Sequence, residues 1–154
     1  MIYDNYSTSG EGGGIRVASN NGSSSASVLN STITQNYPGG IKIHSSSSPG
    51  NYTHVNIMNS IIYDNSVTDV ANDGYLNLTY SNTNIISSGG IYSGQETNIN
   101  SDPLFVNPQN ENFYLQSNSP SIDAGNPDSP FDPDGTIADQ GALYYDIIEG
   151  CTDS

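Results

Sequence analysis

The most constraining feature of the chain is a repeated unit whose fullest copy occupies residues 55–65. It reads Val-Asn-Ile-Met-Asn-Ser-Ile-Ile-Tyr-Asp-Asn, which is two short apolar segments separated by Asn-Ser and ended by Asp-Asn. The second half recurs as Ile-Tyr-Asp-Asn at residues 2–5 and more loosely as Ile-Thr-Gln-Asn at residues 33–36. Repetition of one small unit predicts a stacked solenoid, because a single unit cannot bury its apolar face alone.

Two families of predicted strands carry the repeat. The first half of the unit recurs at residues 26–31 and 76–81, and Gly-Gly-Ile begins strands at residues 13–17 and 39–43, with a possible third copy at residues 89–92. Alternate side chains of a strand point to opposite faces, which places Ser27, Asn56 and Asn77 outside. The residues predicted to point inward are Ala26, Val28, Val55, Ile57, Leu76, Leu78, Ile15, Val17, Ile41 and Ile43. The pattern predicts an all-β fold, a right-handed parallel β-helix of about three to five coils.

An asparagine ends each copy of the repeat, at Asn5, Asn36 and Asn65. In successive coils these residues would lie about 4.8 Å apart, the distance between neighbouring strands. Asparagine tolerates the left-handed conformation of a turn, and its amide can bond to the asparagines above and below. We therefore predict a structural ladder rather than a catalytic group.

The composition suits a solenoid better than a conventional globular core. Only 33% of the residues are hydrophobic, but a coil buries only one or two side chains per strand. The alternative is a disordered chain, which the richness in uncharged polar residues would allow. The regular Ile, Val and Leu positions and the eleven tyrosines favour a folded protein.

The charge balance excludes two classes of partner. Arg16 and Lys42 are the only lysine or arginine residues, against sixteen acidic residues, and the formal net charge is −14. Nucleic acids and anionic lipid surfaces are bound through Lys and Arg, so we expect neither as a partner. No apolar run is long enough to cross a bilayer, so membrane insertion is not expected. The single cysteine, Cys151, can form no internal disulfide.

The chain begins in the middle of a repeat, and we expect it to be a piece of a longer polypeptide. Its first residues lack the basic and apolar segments of a signal peptide. From about residue 98, proline, aspartate and aromatic residues become frequent. We predict coils over residues 1–97, a closing coil or cap on the last coil at residues 98–147, and the start of a truncated linker or following repeat at residues 148–154.

Three motifs in the second half of the chain are typical of a known superfamily. They are Asp-Pro-Leu-Phe at residues 102–105, Leu-Gln-Ser-Asn-Ser-Pro-Ser-Ile-Asp-Ala-Gly at residues 115–125, and Asp-Pro-Asp-Gly followed by Ala-Asp-Gln-Gly-Ala within residues 132–142. Together with the Asn-Ser repeats, they resemble the C-terminal part of secreted bacterial right-handed β-helix proteins of the pectin-lyase-like superfamily. Ile137 stands where that family usually has an arginine. The resemblance implies an extracellular or cell-surface location and a larger parent protein.

The resemblance also implies an enzymatic alternative, because polysaccharide lyases occur on this fold. Such an enzyme abstracts a proton next to a uronate carboxylate, so it needs a cation to neutralise the carboxylate and a base to take the proton. Arg16 and Lys42 occupy equivalent outward positions in neighbouring predicted coils, and His44 lies two residues beyond Lys42. These three are the candidate catalytic residues. The alternative is that the two cations are paired with loop carboxylates.

A group of aspartates is the candidate metal site. Asp132, Asp134 and Asp139 follow an Asp-x-Asp-Gly…Asp spacing, and Asp123 could add a further ligand. Carboxylates at alternate positions before a glycine turn can converge on calcium, which would then be the one cofactor. The spacing is not that of an EF-hand loop. Asp and Gly are also ordinary turn formers, so a purely structural role is the alternative.

Exposed tyrosines and amides point to a glycan as the partner. Tyr63 and Tyr92 are the predicted stacking platforms, and His54, which precedes a predicted strand, is expected in an exposed loop. We expect a structural or adhesive module that binds polysaccharide or a surface glycan. The alternative is a fragment of a polysaccharide lyase or glycoside hydrolase, and the sequence favours a non-catalytic module without deciding the matter.

Overall fold

The computed structural model of the protein describes residues 1–8, 12–46 and 50–146. Within these residues the chain forms fourteen strands and two single-turn 3₁₀ helices, Gln95–Thr97 and Pro108–Asn110. The strands are β1 (Ile2–Tyr3), β2 (Ile15–Ser19), β3 (Ser23–Leu29), β4 (Thr32–Thr34), β5 (Gly39–Ser45), β6 (Tyr52–Met58), β7 (Ile61–Tyr63), β8 (Thr68–Asp73), β9 (Tyr75–Thr79), β10 (Asn82–Thr83), β11 (Ile86–Ser88), β12 (Ile91–Ser93), β13 (Phe105–Asn107) and β14 (Asn112–Leu115).

Twelve of these strands form three parallel sheets of four strands each. The first sheet has the order β1-β4-β7-β10, the second β2-β5-β8-β11 and the third β3-β6-β9-β12. The chain therefore visits the first, second and third sheets in turn and then returns to the first, one strand further along. The inner strands, β4 to β9, each pair with a strand of the preceding visit and a strand of the following visit, and the first and last strand of each sheet pair on one side. This is the topology of a parallel solenoid. The predicted all-β parallel solenoid is confirmed.

The strand register agrees with the alignment of the sequence repeats. Val55 lies between Ala26 and Leu76 in the third sheet, and Ile41 lies beside Ile15 in the second. Side chains from all three sheets meet in one core, and those of the middle strands are almost completely buried. Each such aliphatic side chain contributes about 1.5–3 kcal/mol through burial. The predicted inward residues lie in this core or pack against it, Ala26, Ile15 and Val17 being only partly buried.

The third copy of the Gly-Gly-Ile family was predicted wrongly. Ile91 belongs to β12, which pairs with β9 in the third sheet and not with the Gly-Gly-Ile strands of the second. The second sheet continues instead through β8, in which Val70 lies beside Ile41. β8 lacks the glycine pair, because Asp69 stands at the position that corresponds to Gly40.

The asparagine ladder forms along one corner of the solenoid, and it ends on an aspartate. Asn5 Nδ2 donates to Asn36 Oδ1 at 2.9 Å, and Asn36 Nδ2 donates to Asn65 Oδ1 at 3.0 Å. Asn65 Nδ2 in turn donates to Asp69 Oδ1 at 3.0 Å. A Cβ atom at Gly40 would lie 2.8 Å from Asn65 Nδ2, so glycine makes room for the ladder there. Asp69, which lies in β8, therefore accepts the hydrogen bond from Asn65 that an asparagine of the next coil would otherwise accept.

The ladder residues do not themselves adopt the left-handed conformation. That conformation belongs to the residue before each of them, with φ of 53° at Asp4, 55° at Gln35 and 57° at Asp64. The left-handed residue turns the chain at the corner, and the asparagine that follows is directed inward, where its amide satisfies buried backbone groups. The prediction that asparagine takes the left-handed position was therefore one residue out of register.

A second ladder, built from serines, runs along the corner between the third and first sheets. Ser31 N donates to Ser60 Oγ at 3.2 Å, Ser60 N to Ser81 Oγ at 3.1 Å, and Ser81 N to Asn98 Oδ1 at 3.0 Å. The preceding residues, Asn30 among them, again have positive φ. The Asn-Ser of the repeat is therefore the sequence of this corner.

Residues 100–146 lie along the outer side of the first sheet. Phe105, Phe113 and Leu115, from the antiparallel pair β13 and β14, pack against Ile61 of β7. The contacts extend from Tyr3 in β1, whose hydroxyl donates to Glu111 at 3.1 Å, to Asn82 in β10, which donates to Ser121. Just before these residues, Ile99 forms a bridge with Asn82 and continues the stack. The described residues after it differ in placement from the expected cap, because they lie beside the first sheet and not on the last coil. We call residues 100–146 the flanking segment.

Other predictions about the ends of the chain fall outside the described residues. The predicted linker at residues 148–154, which includes Cys151, and the last residue of the predicted cap, residue 147, are not among the described residues. In the part of the chain that the structure covers, no helix has the length and apolar character needed to cross a membrane.

Candidate functional site

The outer face of the third sheet presents its side chains in regular rows that cross the strands. Alternation along β3, β6, β9 and β12 turns every second residue outward, and parallel register aligns the outward residues of neighbouring strands. The aromatic row is Ser25, His54, Tyr75 and Ile91; the amide row is Ser27, Asn56, Asn77 and Ser93; the apolar row is Leu29, Met58 and Thr79. We call this surface the third-sheet face.

The aromatic row contains a stacked pair of rings. The His54 and Tyr75 rings lie 4.6 Å apart between centroids at an interplanar angle of 15°. Tyr52, two residues before His54 in β6, makes an edge contact with Tyr75 at 5.8 Å, and it is 44% exposed. Tyr75 covers one face of the imidazole, so the opposite face is turned toward β3, where the register partner is the small Ser25. An aromatic surface therefore lies beside the outward serines of β3, Ser25 and Ser27, which we call the serine shelf.

His54 is exposed, but it lies in a strand and not in the predicted loop. Strand β6 begins at Tyr52, so Tyr52, His54 and Asn56 all point outward from the same strand. The sequence signal for this was the period-two alternation of Tyr-Thr-His-Val-Asn-Ile-Met, with its first, third and fifth residues polar or aromatic. That alternation begins at Tyr52, three residues before the predicted strand, which began at Val55.

The amide row is a directed chain of hydrogen bonds. Ser93 Oγ donates to Asn77 Oδ1 at 3.3 Å, and Asn77 Nδ2 donates to Asn56 Oδ1 at 2.7 Å. Among the described residues, Asn56 Nδ2 has no acceptor, and the Ser25 and Ser27 hydroxyls have no hydrogen-bond partner. The chain therefore ends in a donor that faces the serine shelf.

A shallow groove of about 450 Å³ lies over the aromatic and amide rows. Of the described residues that line it, none is Lys, Arg, Asp or Glu. Apolar ring surface and uncharged hydrogen-bonding groups therefore dominate its chemistry. The lining residues are Ser25, Ala26, Ser27, His54, Val55, Asn56, Tyr75, Leu76, Asn77, Ile91 and Ser93.

The candidate catalytic cations lie on the second sheet, away from this groove. Arg16 and Lys42 are register partners, which confirms that they lie side by side, and His44 follows on the same strand as Lys42. Lys42 Nζ forms an ion pair with Asp73 Oδ2 at 2.5 Å. Asp73 is also the register partner of His44. A lyase would need this ammonium group to neutralise a substrate carboxylate, but the carboxylate of Asp73 is already paired with it. The enzymatic role of Arg16, Lys42 and His44 stays a prediction.

The two tyrosines chosen as stacking platforms are both half-buried. Tyr92 packs against the solenoid core, and Asn98 Nδ2 donates to its hydroxyl at 3.3 Å. Tyr63 lines a cavity of about 310 Å³ between β7 and the flanking segment, together with Asp64 and Asp102. Burial raises the pKa of both phenols, and nearby carboxylates, first Asp102, raise that of Tyr63 further. Neither ring is part of the third-sheet face, and their role in binding stays a prediction.

The aspartates of the flanking segment bond to backbone groups. Asp139 accepts hydrogen bonds from the N–H groups of Asp123 at 2.7 Å and Tyr145 at 2.6 Å, and Asp132 accepts from the N–H of Asp139 at 2.7 Å. Asp134 accepts from the hydroxyl of Thr136 at 2.8 Å. Burial raises the pKa of Asp139 to about 6, although its two N–H partners act in the opposite direction.

These contacts give the aspartates a structural role whether or not a metal binds. Over residues 1–8, 12–46 and 50–146, no three His, Cys, Asp or Glu side chains are placed to hold a metal ion. Calcium binding at Asp123, Asp132, Asp134 and Asp139 stays a prediction.

Comparison of the chain with protein-family models, with curated proteins and with solved structures found no match. Membership of the pectin-lyase-like superfamily therefore stays a prediction from the sequence motifs. The chemistry of the third-sheet face is the remaining basis for a functional conclusion.

Proposed function

We propose that the protein is a glycan-binding module without catalytic activity, and that the third-sheet face is its binding site. The observation that carries the proposal is the position of Tyr52 and the stacked His54 beside a row of amides on one flat, exposed surface. A pyranose ring has an apolar face of C–H groups and a rim of hydroxyls. Aromatic side chains fit the first, and amides and hydroxyls that are not bonded to protein fit the second.

The polar groups of the groove favour a ligand rich in hydroxyls. Ser25 and Ser27 are exposed and Asn56 is half-buried, so the two hydroxyls and Asn56 Nδ2 can bond to sugar hydroxyls without leaving a buried group unpaired. The groove is open along the sheet, so it suits a polymer that passes through it better than a small molecule that must be enclosed.

The remaining expectations form part of the same proposal. The scaffold would be a right-handed β-helix of about three to five coils, acting at the cell surface or outside the cell in adhesion to polysaccharide. Calcium at the aspartates would stiffen the flanking segment against the first sheet. A rigid scaffold of this kind suits adhesion, because its strands hold the binding side chains in place before the ligand arrives.

The proposal is tested by measuring affinity for soluble polysaccharides by calorimetry and by gel retardation. We expect Tyr52→Ala and His54→Ala each to weaken binding about tenfold, because loss of one aromatic contact costs about 1–1.5 kcal/mol. The matched control is Tyr114→Ala, which removes a similarly exposed tyrosine, 41% accessible, from the flanking segment. Equal affinity of all three variants and the unaltered protein would refute the assignment of the face.

A further inference from the structure

We propose that the ligand of the third-sheet face is an uncharged, extended glycan whose chain lies along β3, on the serine shelf. This inference rests on the proposed function and names the class of glycan and the direction in which its chain crosses the face. It follows from the orientation of the His54 ring, from the hydroxyls of β3 and from the uncharged lining of the groove over the described residues.

The orientation of the His54 ring sets the plane of a sugar that stacks on it. The centroids of the His54 and Tyr75 rings are 4.6 Å apart at an interplanar angle of 15°, and the neighbouring strands that carry them are about 4.8 Å apart. The two rings are therefore stacked in the direction that runs across the strands. A pyranose that continues this stack lies over Ser25, the register partner of His54, and the plane of its ring contains the direction of the strands.

The direction of the glycan chain follows from that plane. In an extended glycan with equatorial linkages, the bonds to the neighbouring units lie close to the mean plane of each ring. A chain that stacks on His54 and stays on the surface of the sheet therefore runs along β3 and not across the strands. The next unit on one side lies over Ser27 and beside Asn56. The next unit on the other side lies over Ser23 and beside Tyr52.

β3 offers a line of hydroxyls along this path. Ser23, Ser25 and Ser27 are exposed, and within the described residues their hydroxyls have no hydrogen-bond partner. The strand rises about 13 Å from the first of these serines to the last, which accommodates a short run of linked sugars. In the described part of the chain, β3 is the edge strand of its sheet, and β6 with its aromatic rings lies on the other side. The glycan therefore has ring surface beside it, hydroxyls beneath it and solvent along its outer edge.

Charge argues against an acidic glycan. The described residues that line the groove include no lysine or arginine to pair with a uronate carboxylate, and the net charge of the protein is −14. The two basic residues of the chain, Arg16 and Lys42, belong to the second sheet, where Lys42 is paired with Asp73. Desolvating an anion without a partner is unfavourable, and the field of the protein repels it. The described lining also contains no aspartate or glutamate, so a cationic glycan gains no ion pair there.

The test places the same bulky side chain at the two ends of the amide row. Ser27→Leu puts it on the serine shelf in β3, and the matched control Ser93→Leu puts it on β12, at an exposed position of the same row. The uncharged probes are hexasaccharides of β-1,4-linked glucose, mannose and xylose, and the acidic probe is hexagalacturonate. Each is titrated by calorimetry at low and at high salt, with and without calcium, and urea unfolding checks that both variants are folded.

We expect at least one uncharged hexasaccharide to bind with an affinity that salt does not change, and hexagalacturonate to bind at least about tenfold more weakly. Ser27→Leu should weaken binding of the uncharged hexasaccharide about tenfold, because the leucine occupies the position of a sugar unit. Ser93→Leu should change that affinity by less than about twofold, because a chain that runs along β3 does not reach β12.

Equal weakening by the two substitutions would place the chain across the strands, and an unchanged affinity of Ser27→Leu would remove the chain from β3. Either result overturns the inference. Binding of hexagalacturonate as tight as that of the uncharged probes, with or without calcium, also overturns it. In each of these cases the proposed function stands if Tyr52→Ala and His54→Ala still weaken binding. If no glycan of either test binds, both proposals fail.

Discussion

The end of the asparagine ladder gives the sharpest test of how the solenoid is stabilised. Asp69 is only 1% exposed, and its carboxylate accepts four hydrogen bonds. Oδ1 accepts from the backbone N–H and the side-chain amide of Asn65, at 3.1 and 3.0 Å. Oδ2 accepts from the backbone N–H groups of Asn84 and Ile85, also at 3.1 and 3.0 Å. Every partner is a donor, so both oxygens are needed as acceptors.

The substitution Asp69→Asn keeps the shape and removes one acceptor. Whichever way the new amide turns, its NH₂ group faces two donors that are left unsatisfied. Each unsatisfied buried donor costs about 1–3 kcal/mol. The smaller desolvation cost of a neutral side chain offsets part of this loss. We expect a net destabilisation of about 2–4 kcal/mol, which for a domain of this size lowers the melting temperature by roughly 10 °C.

The measurement is urea unfolding followed by far-ultraviolet circular dichroism. The matched control is Asp128→Asn, which removes the same charge from an exposed position in the flanking segment. It should change the free energy of unfolding by less than about 0.5 kcal/mol. If the two variants have the same unfolding midpoint and slope, Asp69 does not terminate the ladder in the way described.

Two further predictions concern the ladder and the flanking segment. Gly40→Ala should lower the free energy of unfolding by at least about 2 kcal/mol, because the new Cβ would lie 2.7 Å from the Asp69 carbonyl oxygen and 2.8 Å from Asn65 Nδ2. The control is Gly89→Ala, at an exposed site without positive φ, where the new Cβ would have one neighbour, at 3.2 Å. It should be near neutral in the same urea experiment. Burial raises the pKa of Asp139 to about 6 from 3.8, so the folded state binds the proton of this carboxyl group more tightly than the unfolded chain does. Protonation of Asp139 therefore stabilises the folded state. This stabilisation is fully present below about pH 4 and is lost as pH rises through 6. The free energy of unfolding of the unaltered protein minus that of Asp139→Asn, measured by urea unfolding from pH 4 to pH 7, should therefore fall as pH rises. A value that stays constant or increases would contradict this prediction.

Several features of the structure were accessible from local patterns. The spacing of Val28, Ile57 and Leu78 within their repeats indicates which side chains meet in the core, because alternation along a strand is a property of the backbone itself. The Asn-Ser and Asp-Asn sequences similarly mark the two ladder corners, since each coil must turn at the same place for its strands to pair. Recurrence of the same short sequence was therefore enough to predict the parallel solenoid and the Asn5–Asn36–Asn65 stack.

The candidate site was less accessible, because it depends on partners from different coils. Tyr52 and His54 could have been placed outward by alternation, but the ring that covers His54 is Tyr75, and the pair depends on the register of β6 and β9. The platforms chosen from sequence, Tyr63 and Tyr92, are half-buried, because the flanking segment lies over one and the core packs against the other.

The sequence by itself determined the repeat, the inward side chains and the corner residues, since these follow from interactions within a coil and between identical positions of adjacent coils. Only the tertiary structure decided that Asp69 replaces an asparagine at the end of the ladder, that β8 continues the second sheet without a glycine pair, and that residues 100–146 lie along the first sheet. The physical reason is that each of these depends on a departure from the repeat. A side chain that differs from its equivalents in other coils is placed by the particular donors, cavities and apolar surfaces that distant parts of the chain bring to it.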